Sequence, residues 1–348
     1  MAVNPSWYTG QLRLELGLRN RRYARGRLHV ESYGTPPVIV YAPEDARHGN
    51  FYDSAYAAII ARPEWIRRFD KVHAQAARSL PKSQLDPKRR WRELDSSMSS
   101  DALLMNVFCT PGVAESSAVR HALGIEGDAQ PDFGWKARVP LANGRFDRTE
   151  VDLRMGSLLV EAKLTEGDFQ TREARIVEAY RDFDEVFDRE LLPRVEIFSA
   201  RRKEVAEFPE AYSQEFESLI DTTIPLATLN ELQAQSPSAL AAEAFNLSRA
   251  SEPGYVSYQL IRNTLATYAS DCSFCVLHDE RRPDLREEWF QVLAAVRNAA
   301  MRVRLKVLTW QELAVYLPGE LQDFLDLKYG IVAPGKTASP VEEVTGFD

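Results

Sequence analysis

The stretch Arg148-Thr-Glu-Val-Asp-Leu-Arg-Met-Gly-Ser-Leu-Leu-Val-Glu-Ala-Lys-Leu-Thr-Glu166 decides the fold. It holds two strand-like runs, Phe146–Arg154 and Ser157–Leu164, around the tight turn Met155-Gly156. So short a connection makes the two runs antiparallel neighbours. Side chains alternate faces along a strand, so Glu161 and Lys163 share one face, with Cα atoms about 6.6 Å apart. Val160, Ala162 and Leu164 take the other face, toward a core. Glu150 and Asp152 share a face of the preceding strand, which lets Asp152 lie close to Glu161.

That grouping suits one chemistry. Two carboxylates at a strand end are hard oxygen ligands that fit magnesium, or manganese, with water and phosphate oxygens completing the shell. A dication so held offsets charge in a phosphoryl transition state and acidifies its water. A lysine alongside orients the attacking water or stabilises the same charge. The bare tripeptide Asp/Glu-x-Lys is weak evidence, because it occurs three times: Asp86-Pro-Lys88, Glu161-Ala-Lys163 and Asp326-Leu-Lys328. The first falls in a linker and the third in a C-terminal helical pattern. Only the second lies in an apolar strand after a hairpin that carries another acid. The plain alternative is a solvent-facing Glu–Lys pair.

Working outward, a third strand covers Phe133–Leu141, joined to Phe146–Arg154 by the hairpin signal Asn143-Gly144. Ser99–Phe108 reads as a helix with Leu103, Leu104, Val107 and Phe108 on its apolar face. Thr171–Glu190 reads as a helix, Arg194–Phe198 as a strand, and 203–250 as mostly helical. Tyr255–Tyr268 is a helix, and Ser273–Leu277 and Val303–Leu308 are strands. Thr309-Trp-Gln-Glu312 has capping-box spacing and opens another helix. Nearer the N-terminus, Leu28–Tyr33 and Val38–Tyr41 form a strand pair around Gly34-Thr-Pro-Pro37, and Asn50–Ala61 and Pro63–Ser79 are two helices. The organisation is therefore a basic N-terminal extension, 1–92, packing on an α/β domain, 93–331, with a loose tail, 332–348.

The 348 residues are 45% hydrophobic and 27% charged, which excludes a wholly disordered or fibrous chain. No apolar run reaches about 18 residues, so no membrane partner is expected. The N-terminus lacks a basic-then-apolar leader pattern, and three cysteines are too few for a disulfide framework, so a cytoplasmic location is expected. Net charge is −8, yet residues 1–92 carry 17 basic and 8 acidic residues. Arginine outnumbers lysine 34 to 9, and arginine bonds phosphate bidentately and stacks on bases. Two clusters stand out: Arg19, Arg21, Arg22, Arg25 and Arg27 around Tyr23, and Lys88, Arg89, Arg90 and Arg92 around Trp91. Both suit nucleic-acid backbone contact. A basic surface docking on the acidic remainder of the same chain would give the same split, and GC-rich coding would also favour arginine.

Cys272-Ser-Phe-Cys275 with His278 invites a zinc reading, but a structural site needs four ligands and no second cysteine pair exists, so core cysteines are expected. Asp279-Glu-Arg-Arg-Pro-Asp284 is a charged loop. No Gly-x-Ser-x-Gly elbow, P-loop or His-Glu-x-x-His occurs.

Asp152 followed by Glu161-Ala-Lys163 resembles the signature of the PD-(D/E)xK nuclease superfamily, the restriction-endonuclease-like fold, with Val151 where the motif name has proline. The surroundings are similar to a bacterial branch of that superfamily. The matching features are His48-Gly-Asn-Phe51, Ser99-Ser-Asp-Ala-Leu-Leu-Met-Asn106, Glu161-Ala-Lys-Leu-Thr-Glu166, Tyr258-Gln-Leu-Ile-Arg-Asn263 and Leu308-Thr-Trp-Gln-Glu-Leu313. The resemblance implies an α/β core of helix, three-stranded meander, helix and strand in a mixed sheet. The patterns supply that order as 99–108, 133–164, 171–190 and 194–198. It further implies that Asp152, Glu161 and the Ala162 carbonyl ligate magnesium or manganese and that Lys163 serves the nucleophilic water. Many members add a glutamate from the first core helix; Glu93 and Glu115 are the candidates, Glu150 is a third because it shares the face of Asp152, and Gln170 is a candidate for site support. The implied activity is hydrolysis of phosphodiester bonds in nucleic acid, DNA first; a homodimer is a further candidate partner arrangement. The alternative is a non-cutting nucleic-acid- or protein-binding module on the same fold.

Overall fold

The computed structural model describes residues 5–32, 37–71, 92–198 and 251–340. Its centre is a five-stranded mixed sheet: β1 (Pro131–Lys136), β2 (Glu150–Met155), β3 (Leu158–Ala162), β4 (Ser273–His278) and β5 (Leu305–Thr309), in the order β5-β4-β3-β2-β1. β1, β2 and β3 form an antiparallel meander, and β4 runs parallel to both β3 and β5. Gly156, at φ 60°, makes the two-residue turn that sets Met155 opposite Leu158 and Leu153 opposite Val160. The parallel steps need crossovers. A helix at Tyr258–Ala269 precedes β4, and one at Pro283–Ala295 links β4 to β5.

The period of two along β3 builds both layers. Leu158, Val160 and Ala162 join a cluster with Leu103, Leu104 and Val107 of the helix Ser100–Phe108, and with Leu12 and Leu16 of the helix Pro5–Tyr23. Leu159 faces the opposite layer, with Phe274, Val276, Leu260, Ile261 and Trp289. Glu161 follows Leu159 on that second face, at the end of the strand where the apolar layer stops. Ser99 caps the Ser100–Phe108 helix by accepting from Ala102 N, and Thr309 and Glu312 form the expected capping box.

The N-terminal strand pair (His29–Glu31 with Ile39–Tyr41) and the helix Asp53–Ile60 fall where the sequence puts them. The helix from Pro63 ends at Ile66 and passes into a 3-10 turn, Arg67–Asp70; its expected continuation past 71 lies outside the described residues, as do all of 203–250, Lys88, Arg89, Arg90 and the end of the tail. The helix Pro5–Tyr23 was not legible. Its buried leucines are few, and Gly10 and Gly17 interrupt the pattern.

Two expectations for the core are corrected. Thr171–Glu190 is not one helix but two short ones, Ala174–Val177 and Phe183–Val186. Tyr180 bridges to Leu141, Ala142 N donates to Ala179 O and Arg181 N to Pro140 O, so this stretch lies edge-on against the β1–β2 connection and its backbone groups are taken out of a helix. Arg194–Phe198 is a strand, but it pairs with Ser251–Tyr255 in a separate three-stranded sheet. The core sequence of helix, meander, helix and strand is completed instead by Tyr258–Ala269 and Ser273–His278. Among the described residues no helix is long and apolar enough to cross a membrane.

Candidate active site

The ladder between β2 and β3 stops at Leu153–Val160. One further step of the same register would set Asp152 opposite Glu161. There the strands part, and Asp152 Oδ2 instead accepts a hydrogen bond from Ala162 N at 2.8 Å. Just past β3, Lys163 is held by its backbone: its N–H donates to Leu277 O at 2.8 Å, and its carbonyl accepts from Trp310 Nε1 at 3.0 Å. Both Glu161 and Lys163 are buried. Lys163 Nζ donates to Glu161 Oε1 and to Gln259 Oε1, each at 2.9 Å, and Asn263 Nδ2 donates to Glu161 Oε2 at 2.8 Å. Gln259 and Asn263 are four apart on the Tyr258–Ala269 helix, so they present one polar face to the pair.

Burial works against charge on Lys163, but Glu161, Glu166 and Asp152 outweigh it and hold its pKa above the usual lysine range, so it is an ammonium. Asp152 goes the other way: burial, then the like charges of Glu161 and Asp101, push its carboxyl well above the usual range, against Lys163 and the Ala162 N–H. Two carboxylates that repel each other in a buried notch are what a cation would relieve.

The helix Ser100–Phe108 brings another acid, Asp101, within electrostatic reach of Asp152. Asp101 stands at the start of that helix and is 4% exposed. Arg68 Nη2 donates to Asp101 Oδ2 at 2.6 Å, and Lys71 Nζ lies 3.4 Å from the same oxygen. Burial opposes its charge, but Lys71 and Arg68 prevail and keep its carboxyl below the usual range. Glu150 joins from β2, accepting from Arg68 Nη1 at 2.8 Å. Glu93 is one step removed, 3.0 Å from Lys71 Nζ, and burial followed by Asp101 raises its pKa. Glu115 is exposed on the turn before Ser117–Leu123. Among the described residues no three His, Cys, Asp or Glu side chains form a ready-made metal cage. Asp152 and Glu161 are hard oxygen donors, of the kind that a magnesium ion takes along with water.

Gln170 takes a left-handed backbone conformation, and its carbonyl accepts from Tyr258 N. The glutamine that reaches the site is Gln259. Its signal was an i, i+4 pair of amides, Gln259 and Asn263, on the buried face of a helix. The loop after the motif is clamped from both sides: Arg13 donates to Thr165 O, and the fully buried Arg282 donates to Glu166 O at 2.6 Å and Gly167 O at 2.9 Å. Ser100 Oγ also donates to the Glu166 carboxylate.

The first arginine cluster is divided. Arg19 is buried against Glu15 and Asp326 and belongs to the fold. Arg21 pairs with Glu31, Arg22 donates to Pro340 O, and Arg27 lies over the Tyr23 ring at 3.9 Å. Arg25 is exposed, and Arg92 starts the 3-10 turn Glu93–Asp95. Cys272 and Cys275 are buried in opposite layers of the sheet, as core residues.

A mixed sheet whose central hairpin carries acids and a lysine at one end is that of a restriction-endonuclease-like α/β protein. Residues 18–330 match the family described as Restriction Endonuclease associating with ARP, and the chain belongs to that family. Comparison with curated proteins and with solved structures returned no match.

Proposed function

We propose that the chain is a PD-(D/E)xK-type phosphodiesterase acting on nucleic acid, DNA first. The observation that carries this reading is the triad Asp152, Glu161 and Lys163 at the point where β2 and β3 part. Asp152, Glu161 and the Ala162 carbonyl would hold magnesium or manganese. When bound, the ion supplies charge neutralisation at the phosphoryl group and acidifies its water. Lys163 works as a cation: its ammonium donates to the attacking water or to the phosphoryl oxygens and does not take up a proton. Gln259 fixes the ammonium and Asn263 fixes Glu161, so neither side chain has to reorganise during reaction. The exposed arginines Arg21, Arg22 and Arg25 would supply backbone contacts, with Lys88, Arg89, Arg90 and Arg92. ARP, with which the family is described as associating, would be a further partner.

Full-length chain with Asp152→Asn should lose magnesium-dependent cleavage of plasmid DNA while melting as the wild type does; equal activity in the variant overturns the reading. One observation favours the non-cutting binder: both Glu161 oxygens already have protein donors. A chain that shifts DNA in a gel with or without magnesium, yet never cuts it, would support that alternative.

A further inference from the structure

Arg68 belongs to none of the core strands or helices, yet its guanidinium lies inside the acid cluster. It sits on the 3-10 turn Arg67–Asp70 and is 10% exposed. One edge of the fork meets Asp101 at 2.6 Å and the other meets Glu150 at 2.8 Å. β1 makes room for it. Gly134 has φ 67°, and a Cβ there would fall 2.1 Å from Arg68 Nη1 and 3.2 Å from Glu150 Oε2. The space beside Gly134 is thus filled by the Arg68 guanidinium. Lys71, one turn on, spans Asp101 and Glu93.

We propose that Arg68 is a resident competitor of the divalent cation. With no metal bound, its fork satisfies Asp101 and Glu150, the two acids that flank Asp152, and supplies positive charge to the notch. A dication entering between Asp152 and Glu161 meets that fixed charge at short range, so metal binding and the Arg68 contacts oppose each other. By linkage, whatever releases Arg68 tightens the metal, and the metal loosens Arg68. The inference rests on the metal-binding reading above and adds a gate to it.

Calorimetric titration of manganese into the full chain tests the sign of this coupling. Arg68→Gln should bind manganese about tenfold tighter than wild type, or better, whereas Arg68→Lys, which keeps the charge, should stay within about threefold. Equal or weaker binding by Arg68→Gln, against a wild type that does bind, overturns the competition alone. Failure of every protein to bind manganese overturns the metal reading and the competition with it. The wild-type chain gives a second readout that needs no substitution. Manganese should raise phenylglyoxal labelling of Arg68 severalfold, read by peptide mass spectrometry, with the buried Arg282 as the unlabelled reference. Unchanged or reduced labelling of Arg68 in a manganese-bound chain contradicts the competition.

Discussion

Glu161-Ala-Lys163 and Asp326-Leu-Lys328 have the same pattern of residue types and opposite surroundings. On a strand, positions two apart share a face, so Glu161 and Lys163 meet at 2.9 Å. On the helix Gly319–Tyr329, positions two apart diverge. Asp326 faces Ser339 and Arg19, while Lys328 turns into a fully buried space where Nζ meets Asn20 Oδ1 at 2.6 Å and lies 4.8 and 4.7 Å from the Tyr41 and Tyr329 rings. Burial disfavours charge at both lysines. Carboxylates reverse that at Lys163 and raise its pKa; at Lys328 burial, with Arg27 adding to it, takes the pKa well below the usual lysine value. The secondary structure around a motif, more than its letters, decides whether a buried lysine is an ammonium.

The largest expected effect is at the first lysine. Lys163→Ala removes the ammonium and leaves Glu161 buried with Asn263 alone. Cleavage should fall by about 10³-fold, and a denaturant melt should show a loss of about 3–5 kcal/mol. Full activity in this variant would break the comparison. Next is Gln259→Ala, which leaves the charges intact and frees the ammonium to wander; kcat should drop about 10–100-fold with the melt little changed. An unchanged kcat would mean that Glu161 alone positions Lys163.

The second lysine predicts gain instead of loss. Lys328→Met removes a buried amine that has no carboxylate partner, and Asn20 Oδ1 keeps the Tyr41 hydroxyl at 3.2 Å. Stability near neutral pH should hold or rise by about 1–2 kcal/mol. The pH dependence separates the two sites. Lys328 titrates lower folded than unfolded, so between those values the unfolded chain binds the extra proton and stability rises with pH. Lys163 titrates higher folded than unfolded; its contribution is complete below the unfolded value and is lost as pH climbs through the folded one. Lys328→Met should flatten the first slope and leave the second, and a loss of stability on this substitution would contradict the contrast.

The smallest effect expected is at Glu288, which accepts from Ser257 Oγ at 2.6 Å ahead of the helix carrying Gln259. Burial first, then Asp168 and Asp284, raise its pKa to about 7 against the Ser257 and Phe169 bonds. Folded, it keeps a proton that the unfolded chain has lost above about pH 4.5, so stability should decline between about pH 4.5 and 7. Glu288→Gln should remove that decline and gain on the order of 1 kcal/mol at pH 8, measured by melts across pH. A curve that keeps its slope would refute the assignment.

The meander and its turns were legible because period two and glycine turns act locally. The capping residues Ser99 and Thr309 were legible for the same reason. The fourth core strand was misplaced, because Arg194–Phe198 and Ser273–His278 both read as strands; only the pairing with β3, a long-range choice, tells them apart. The meeting of Glu161 and Lys163 was legible as a strand face. The surroundings of Asp101 were not, since Arg68 and Lys71 reach it from 30 residues and more before it. Gln259 and Asn263 were quoted in the helix motif without a function, because a helix gives no sign in sequence of which strand end it will cover. Arg19 shows the converse: an arginine in a basic run that the fold uses for itself.

Manganese soaked into crystals of the full chain and located by its anomalous scattering tests the central claim most directly. The account predicts one strong peak between the Asp152 and Glu161 carboxylates, beside the Ala162 carbonyl. A peak elsewhere, or none at a concentration that saturates the calorimetric signal, would contradict it.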